Sequence, residues 1–411
     1  MEFLRKFGIP IIFTFQSLSC MSISMYFEPV ILPDFVVSGK SEHKRFGEII
    51  GAYTTSGQFP DLENVDLALI GINEDRNAVN NEGCGLTPDY VRAFFYRLFP
   101  GDYTARMVDL GNIKRGHSVD DTYFALSTVV AELLAARIVP VLIGGGQDLT
   151  YANYKAYEDL GRIINIVSID NSFDLGENEK KVNSRSFLSW IILHEPNYLF
   201  NYTNIGYQTY FVDQNAINLM NKLFFDAYRL GVVQKNITMV EPLVRNADML
   251  TFDMSSIRMS DAPAGGNASP NGFYGEEACQ IARYAGMSDK LSSAGFYEMN
   301  PTFDRQGQTA QLLAQMIWYF VDGYYHRSQD FPGEDADAFI RFTVKVSGHD
   351  DGIVFYKSKQ SGRWWMEIDC SPVVKAKFGH HYIVPCDYSD YTTASADEIP
   401  DRWWQMYQKL M

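Results

Sequence analysis

Three short apolar runs, each ending at a polar turn, stand out in the central part of the chain. They cover residues 138–143, 163–169 and 249–252. Continuous apolar runs of this length, closed by glycine or aspartate, are typical of parallel strands that are buried on both faces. The turns that follow begin at Gly144, Asp170 and Asp253. Because parallel strands end at the same edge of a sheet, these turns are predicted to meet in one cleft.

Strand-like and helix-like segments alternate between Val65 and about Tyr325. Apolar positions recur at helical spacing in residues 120–136 and 309–322, which predicts two amphipathic helices. Alternation of this kind is typical of proteins in which helices cover both faces of a parallel sheet. The pattern therefore predicts an α/β fold with a mostly parallel central sheet.

The composition changes after residue 328, where the acidic stretch 328–335 is typical of a linker. Beyond it, residues 353–356 and 364–368 are predicted to form a β-hairpin, and residues 395–400 to lead into a final helix. We therefore predict three parts. These are a leader or over-extended start at 1–30, a main domain at 31–328, and a C-terminal aromatic-rich β/α extension at 329–411.

The extension holds four of the six tryptophans of the chain, Trp364, Trp365, Trp403 and Trp404. Aromatic side chains at this density can pack against the parent domain. They can also form a docking surface, because large aromatic residues with polar tips dominate binding hot spots. Both interpretations stay open, and the second predicts a protein partner bound through the extension.

Charge and cysteine usage exclude two classes of protein. With 35 basic against 50 acidic residues, the formal charge is −15, which argues against nucleic-acid binding. The five cysteines are scattered and odd in number, which favours free thiols over a disulfide framework or a zinc site. We expect a reducing compartment, and hence a cytoplasmic protein.

The first twenty residues leave an alternative to the cytoplasmic location. Arg5 and Lys6 precede a short apolar run at 9–15, and Cys20 follows. This outline is typical of a secretory or lipoprotein leader, although the run is interrupted by Pro10. The chain could thus be exported or lipid-anchored, or its recorded start could be over-extended.

The turns after the strands contain carboxylates that can act together. Asp170, Asp174 and Asp253 taken singly are typical turn formers or helix caps. Together in one cleft they would repel one another and would need compensation. A bound cation, a basic side chain such as Arg258, or a shared proton could supply it.

These turns belong to a wider set of motifs that follow one another along the chain. The set comprises residues 81–92, a glycine-rich turn leading into a helix, then 144–147, 170–174, 253–255, and 294–301 with Glu298, Asn300 and Pro301. From about residue 60 to 328 the chain resembles the ureohydrolases, the group of arginase, agmatinase and formimidoylglutamase. The resemblance implies a three-layer α/β/α fold, arginase-like, and a homo-oligomer.

The resemblance also implies six metal-ligand positions, which in this family hold two manganese ions bridged by a hydroxide. Three are kept as Asp170, Asp174 and Asp253. The other three are replaced, with Gln147 and Ser172 where the family has histidine and Ser255 where it has aspartate. One divalent cation (Mn, Mg or Ca) could be held by the three carboxylates and Gln147, because hard cations accept such oxygen ligands. A dimanganese centre is not expected.

Glu298 and Asn300 are the substrate-binding positions that the resemblance implies. The matching family glutamate binds the guanidinium or amidine group of the substrate, so its retention predicts a small cationic ligand. The alternative is that the segment is kept for the turn that it makes.

Two hypotheses follow. In the first, the chain is a catalytically impaired ureohydrolase-fold protein that acts as a binding or scaffold subunit. In the second, it is an active metal-dependent hydrolase of a linear amidine or guanidine C–N bond, formimidoylglutamase-like or agmatinase-like.

Overall fold

A computed structural model describes residues 23–30, 44–176, 180–333 and 336–411. Its centre is a ten-stranded sheet. The strands are β1 Phe27–Glu28, β2 Gly51–Ala52, β3 Leu67–Ile72, β4 Met107–Ile113, β5 Val139–Ile143, β6 Ile164–Ile169, β7 Leu199–Tyr207, β8 Asp226–Arg229, β9 Met249–Asp253 and β10 Ser293–Tyr297. The three apolar runs of the sequence are β5, β6 and β9, which confirms them as strands.

The strand order is β1-β4-β3-β5-β10-β9-β6-β7-β8, and β2 also pairs with β4. Every pair is parallel except β1 with β4. The mostly parallel sheet is therefore confirmed. Strands β5, β10, β9 and β6 are consecutive neighbours, so their carboxyl ends lie side by side.

Helices cover both faces of the sheet. In the main domain they are α1 Phe46–Ile49, α2 Thr87–Phe95, α3 Val119–Ala135, α4 Leu149–Asp159, α5 Phe187–Ile192, α6 Gln214–Lys222, α7 Leu230–Lys235, α8 Val240–Arg245, α9 Gly275–Gly286 and α10 Gln308–Tyr325. Helices α3 and α10 match the two helices predicted from apolar spacing. Ser118 starts α3 because its hydroxyl accepts a hydrogen bond from the backbone N–H of Asp121.

Two hydrophobic cores, one on each face of the central sheet, explain why the strand sequences are unbroken apolar runs. Val141 and Ile143 of β5 pack with α2, α9 and α10, whereas Leu142 packs with α3 and α4 on the other face. Successive strand residues point to opposite faces, so a strand covered on both sides needs apolar residues at every position. The three-layer α/β/α architecture is confirmed.

The C-terminal extension forms a second, antiparallel sheet. Its strands are β11 Phe339–Val346, β12 His349–Ser358, β13 Trp364–Glu367 and β14 Ile383–Cys386, and its helices are α11 Pro372–Phe378, α12 Tyr388–Ser395 and α13 Asp401–Leu410. Strands β12 and β13 pair from Val354 with Glu367 to Lys357 with Trp364, which confirms the predicted hairpin. The predicted boundary at 328 lies between α10 and β11.

Most of the tryptophans of the extension pack inside the protein. Trp364, Trp365 and Trp403 are buried, whereas Trp404 is 46% exposed. Arg245 of α8 holds the extension to the main domain, because its guanidinium donates to the carbonyl oxygens of Trp364 and Cys386, each at 3.1 Å. The same guanidinium lies 4.4 Å from the ring centroid of Trp365, a cation–π distance.

The described part of the first thirty residues packs against the main domain. Ile23, Phe27 and Val30 are buried, and β1 pairs with β4. Residues 1–22, on which the leader prediction depends, lie outside the described residues. In the part that the structure describes, no helix combines the length and apolar character needed to cross a membrane.

Candidate functional site

Three carboxylates meet beyond the carboxyl ends of β6 and β9. Asp170 directly follows β6, Asp253 is the last residue of β9, and Asp174 lies in the loop after Asp170. All three are buried, and an oxygen of each lies within 4.8 Å of the others. The structure thus brings together the three acidic positions that the sequence singled out.

Two of these carboxylates also accept hydrogen bonds from backbone N–H groups of their own turns, as the turn-forming interpretation expects. Oδ1 of Asp170 accepts the backbone N–H of Ser172 at 3.0 Å, and Oδ1 of Asp253 accepts that of Ser255 at 2.6 Å. Oδ2 of Asp170 and Oδ2 of Asp174 are buried and have no hydrogen-bond partner among the described residues. A buried acceptor without a donor is costly, and these oxygens are free for a cation.

The glycine turn after β5 places Gln147 beside this cluster of strand ends. Gly144 and Gly145 adopt positive φ angles of 89° and 77°, which glycine tolerates best. The side chain of Gln147 is buried, and its Nε2 donates to Oγ1 of Thr251 at 2.8 Å. Its Oε1 has no partner within the described residues, so this amide oxygen is a third free acceptor.

The two serines at replaced positions are engaged in hydrogen bonds. The hydroxyl of Ser172 donates to Oδ1 of Asp174 at 2.9 Å. The hydroxyl of Ser255 accepts from Nδ2 of Asn171 at 3.2 Å. Both hydroxyls are neutral, and neither brings negative charge to the site.

A basic side chain that the sequence did not single out reaches the cluster. Nη1 of Arg185 lies 3.5 Å from Oδ1 of Asp174 and donates to the hydroxyl of Ser172 at 3.2 Å. The suggestion of Arg258 was wrong, because Arg258 pairs with Asp261 at 2.9 Å and stacks on Tyr274. Arg185 lies two residues before α5, in the same β6-to-α5 connection as Asp170 and Asp174, and this shared loop was the available signal.

Burial and mutual repulsion alter the proton affinities of the cluster. Burial, together with the charges of Asp174 and Asp253, raises the pKa of Asp170 well above its usual range. Burial also raises the pKa of Asp253 to about 6, although Arg185 opposes this change. Burial alone would lower the pKa of Arg185, but attraction to the three carboxylates raises it, so the guanidinium stays charged.

Glu298 and Asn300 are both held by the turn at residues 81–82. Glu298 has a positive φ of 67°, its Oε1 accepts the backbone N–H of Gln147, and its Oε2 accepts from Nδ2 of Asn81, both at 2.8 Å. Nδ2 of Asn300 donates to Oδ1 of Asn81 at 3.0 Å and to the carbonyl of Glu82 at 2.9 Å. Asn300 therefore braces the turn, whereas each oxygen of Glu298 keeps a second lone pair for a ligand.

The proton affinity of Glu298 leads to a testable pH dependence. Burial and the charge of Asp253 raise its pKa from 4.5 to about 8, despite the bonds from Gln147 and Asn81. The folded protein then binds this proton more tightly than the unfolded chain, so the contribution to stability is full below pH 4.5 and is lost as pH rises through 8. With a chelator present, urea unfolding should show stability falling between pH 6 and 8, a window that Glu298 shares with Asp148, whose pKa burial raises to about 7.

Glu298→Gln is the matched control, since it removes this titration while it keeps the size of the side chain. Its stability should change less between pH 6 and 8 than that of the unaltered protein. An equal slope in both proteins would show that other groups carry the pH dependence.

A comparison with known protein families identifies the family of this chain. The model of the Arginase family matches residues 65–322, more than half of the chain. The chain belongs to the arginase family. This confirms the ureohydrolase resemblance drawn from the motifs.

Several relatives of this arginase-family chain are named as formimidoylglutamases. That of Staphylococcus aureus (strain MRSA252) is 26% identical over 288 residues, which cover 64% of this chain and 90% of the relative. The fold matches the crystal structure of Trypanosoma cruzi formiminoglutamase with Mn²⁺ at a TM-score of 0.62 and 18% identity, over 70% of this chain and 100% of that one. The fold also matches the crystal structure of formimidoylglutamase from Bacillus subtilis, with a TM-score of 0.63 and 17% sequence identity. This match covers 72% of this chain and 98% of that one.

The oxygen atoms of the cleft suit a hard divalent cation. Carboxylate and amide oxygens are the ligands that Mg²⁺, Ca²⁺ and Mn²⁺ prefer. The carboxylates of Asp170, Asp174 and Asp253 lie within 4.8 Å of one another, and an oxygen of Asp170 and one of Asp174 have no partner among the described residues. These three residues could therefore hold a divalent ion, and Gln147 remains the fourth ligand position that the resemblance implies.

Proposed function

We propose that the cleft is a cation-binding pocket rather than a dimanganese hydrolase centre, and that the chain acts as a binding or scaffold subunit with impaired catalysis. The observation that carries this proposal is the guanidinium of Arg185 beside Asp174 and Ser172. It brings a permanent positive charge to a place where the resemblance implies a metal ligand.

A count of charges supports the proposal. Asp170, Asp174 and Asp253 supply three negative charges when ionised, and Arg185 supplies one positive charge. One divalent ion added to Arg185 balances the three carboxylates. Two divalent ions with Arg185 would set five positive charges against these three, or against four with Glu298 ionised, in a buried site where uncompensated charge costs several kcal/mol. The replaced positions, Ser172 and Ser255, add no charge to offset this.

The chain's own residues have definite tasks in such a pocket. Asp170, Asp174 and Asp253 attract the cation, and the rigid glycine turn orients the amide of Gln147. In its ionised form, Glu298, buried nearby, can bind an amidinium or guanidinium group through its remaining lone pairs. A divalent ion bound here would lower the pKa of a coordinated water. None of the three turns carries a histidine to take up a proton from such a water.

A second candidate function is a one-metal hydrolase of linear amidines. The unpartnered oxygens of Asp170, Asp174 and Gln147 favour it, because three free buried acceptors suit a resident metal ion. The formimidoylglutamase relatives suggest formimidoylglutamate as the substrate to test first.

Partners remain part of the proposal. The exposed rings of Tyr388 and Trp404, at 60% and 46%, support protein docking through the extension. Homo-oligomerisation is proposed from the family resemblance.

Metal analysis and a hydrolysis assay test both candidates. The protein is loaded with Mn²⁺, dialysed, analysed for bound metal, and assayed on arginine, agmatine and formimidoylglutamate. We expect at most one ion per chain and no turnover. Two ions per chain, with turnover that Asp253→Asn abolishes, would refute the proposal. One ion with turnover lost in Asp253→Asn would establish the second candidate instead.

A further inference from the structure

A turn with a braced backbone holds Arg185 at the acidic cluster. The backbone N–H of Arg185 donates to Oδ1 of Asn183 at 2.9 Å. On one side, the hydroxyl of Ser184 accepts the backbone N–H of Val79 at 2.9 Å. On the other side, the hydroxyl of Ser186 accepts the backbone N–H of Asn183 at 3.0 Å. Because the residues before and after it are tied down, the guanidinium is presented to the cleft in a fixed direction.

Four acidic side chains act on this guanidinium. Its Nη1 lies 3.5 Å from Oδ1 of Asp174. The charges of Asp253, Asp170 and Glu298 also stabilise its charged form. Arg185 is the only basic side chain in the described part of the chain that forms an ion pair with any of the four. Its positive charge is therefore the one that the structure itself supplies to the cleft.

The Arg185 side chain also reaches the protein surface. It is 32% exposed, whereas the side chain of Asp174 is 1% exposed. The arginine thus extends from solvent to the buried carboxylates. A shorter residue at this position would let solvent and small solutes approach the carboxylates, whose negative charge would then have no partner.

A guanidinium beside several carboxylates is the pairing that a free guanidinium or amidinium compound would make in this cleft. Such groups are planar cations whose N–H bonds match carboxylate oxygens. A free compound must compete with Arg185 for the same oxygens. Arg185 has the advantage, because a group that is already attached to the chain loses less translational and rotational entropy on binding.

We infer that the cleft is a guanidinium-binding site that the chain fills with its own Arg185, so that free guanidinium and amidinium compounds are excluded. The inference rests on the proposed cation pocket, since both use the same carboxylates, and it adds how that pocket is regulated. Arg185 is an internal ligand, and an amidine reaches Glu298 only when Arg185 is displaced.

Chemical rescue of Arg185→Ala tests the inference. Urea unfolding of the full-length protein is measured at pH 7 with a chelator, in methylguanidinium, acetamidinium or sodium chloride at equal ionic strength. The two organic cations should raise the urea midpoint of Arg185→Ala saturably, by about half a molar at about ten times the dissociation constant. Neither should raise the midpoint of the unaltered protein, whose own arginine occupies the site. No saturable rise in Arg185→Ala, or an equal rise with sodium chloride, would overturn the inference.

Two further variants make the result specific. Arg106→Ala is the matched control, because Arg106 is 58% exposed and pairs with one carboxylate, that of Asp66 at 2.7 Å. It should not be rescued, and a rescue equal to that of Arg185→Ala would show that any unpaired carboxylate suffices. Arg185→Gln should be rescued as well, so the test does not depend on the folding of one variant. The measurement contains no metal, so a failed rescue refutes self-occupation alone, whereas two bound ions with turnover would refute the proposed function alone.

Discussion

Replacing Arg185 by methionine is expected to lower the free energy of unfolding by about 2 kcal/mol at pH 7 in metal-free buffer. The substitution leaves Asp170, Asp174 and Asp253 buried without their positive neighbour, which stands 3.5 Å from Asp174. We take a value below the range for fully buried pairs because about a third of the Arg185 side chain is exposed. Urea unfolding measures the change.

The same variant should bind Mn²⁺ about tenfold more tightly, because the ion then meets three carboxylates without a competing guanidinium. Added Mn²⁺ should accordingly restore much of the lost stability. Arg305→Met, at an exposed position that forms no ion pair with any described residue, is the control and should change neither property. If Arg185→Met left stability and Mn²⁺ affinity unchanged, Arg185 would not be the counter-ion of the cluster.

Restoring the three replaced positions is expected to raise the manganese content to two ions per chain, but only when Arg185 is also removed. The variant combines Gln147→His, Ser172→His and Ser255→Asp with Arg185→Met. An imidazole at position 172 needs the space and the charge environment in which Arg185 now donates to Ser172 at 3.2 Å. Metal analysis after loading and dialysis measures the result.

The triple variant that retains Arg185 is the matched control, and we expect it to hold no more than one ion. Two ions in both variants would show that the guanidinium moves aside freely. One ion in both would show that the turns have changed in backbone as well as in side chains. The contact of Asn171 with Ser255 and the positive φ of 47° at Asp174 are the first places to examine in that case.

Much of the architecture was predictable because its signals are local. The apolar runs of β5, β6 and β9 are unbroken because helices cover both faces of the sheet. The hairpin of β12 and β13 was predictable because two strand-like segments are separated by a short polar turn. The meeting of Asp170 with Asp253 was also predictable, because the carboxyl ends of parallel strands share one edge.

The partner of each site residue was not predictable in the same way. Arg185 and Arg258 both follow a carboxylate turn in the sequence, and only the path of the chain from β6 to α5 turns Arg185 toward the cluster. Arg258 instead meets Asp261 and Tyr274. Which oxygen of an aspartate closes its own turn and which stays free likewise depends on the folded geometry.

By itself, the sequence determined the α/β class, the strand ends, the retained carboxylates and the replaced ligand positions, because periodicity and residue identity are properties of short segments. Only the tertiary structure decided that a guanidinium joins the acidic cluster and that Arg245 binds the carbonyl oxygens of Trp364 and Cys386. Those carbonyls are 119 and 141 positions from Arg245 along the chain. Contacts across such separations depend on how whole strands and domains pack, and no local pattern encodes them.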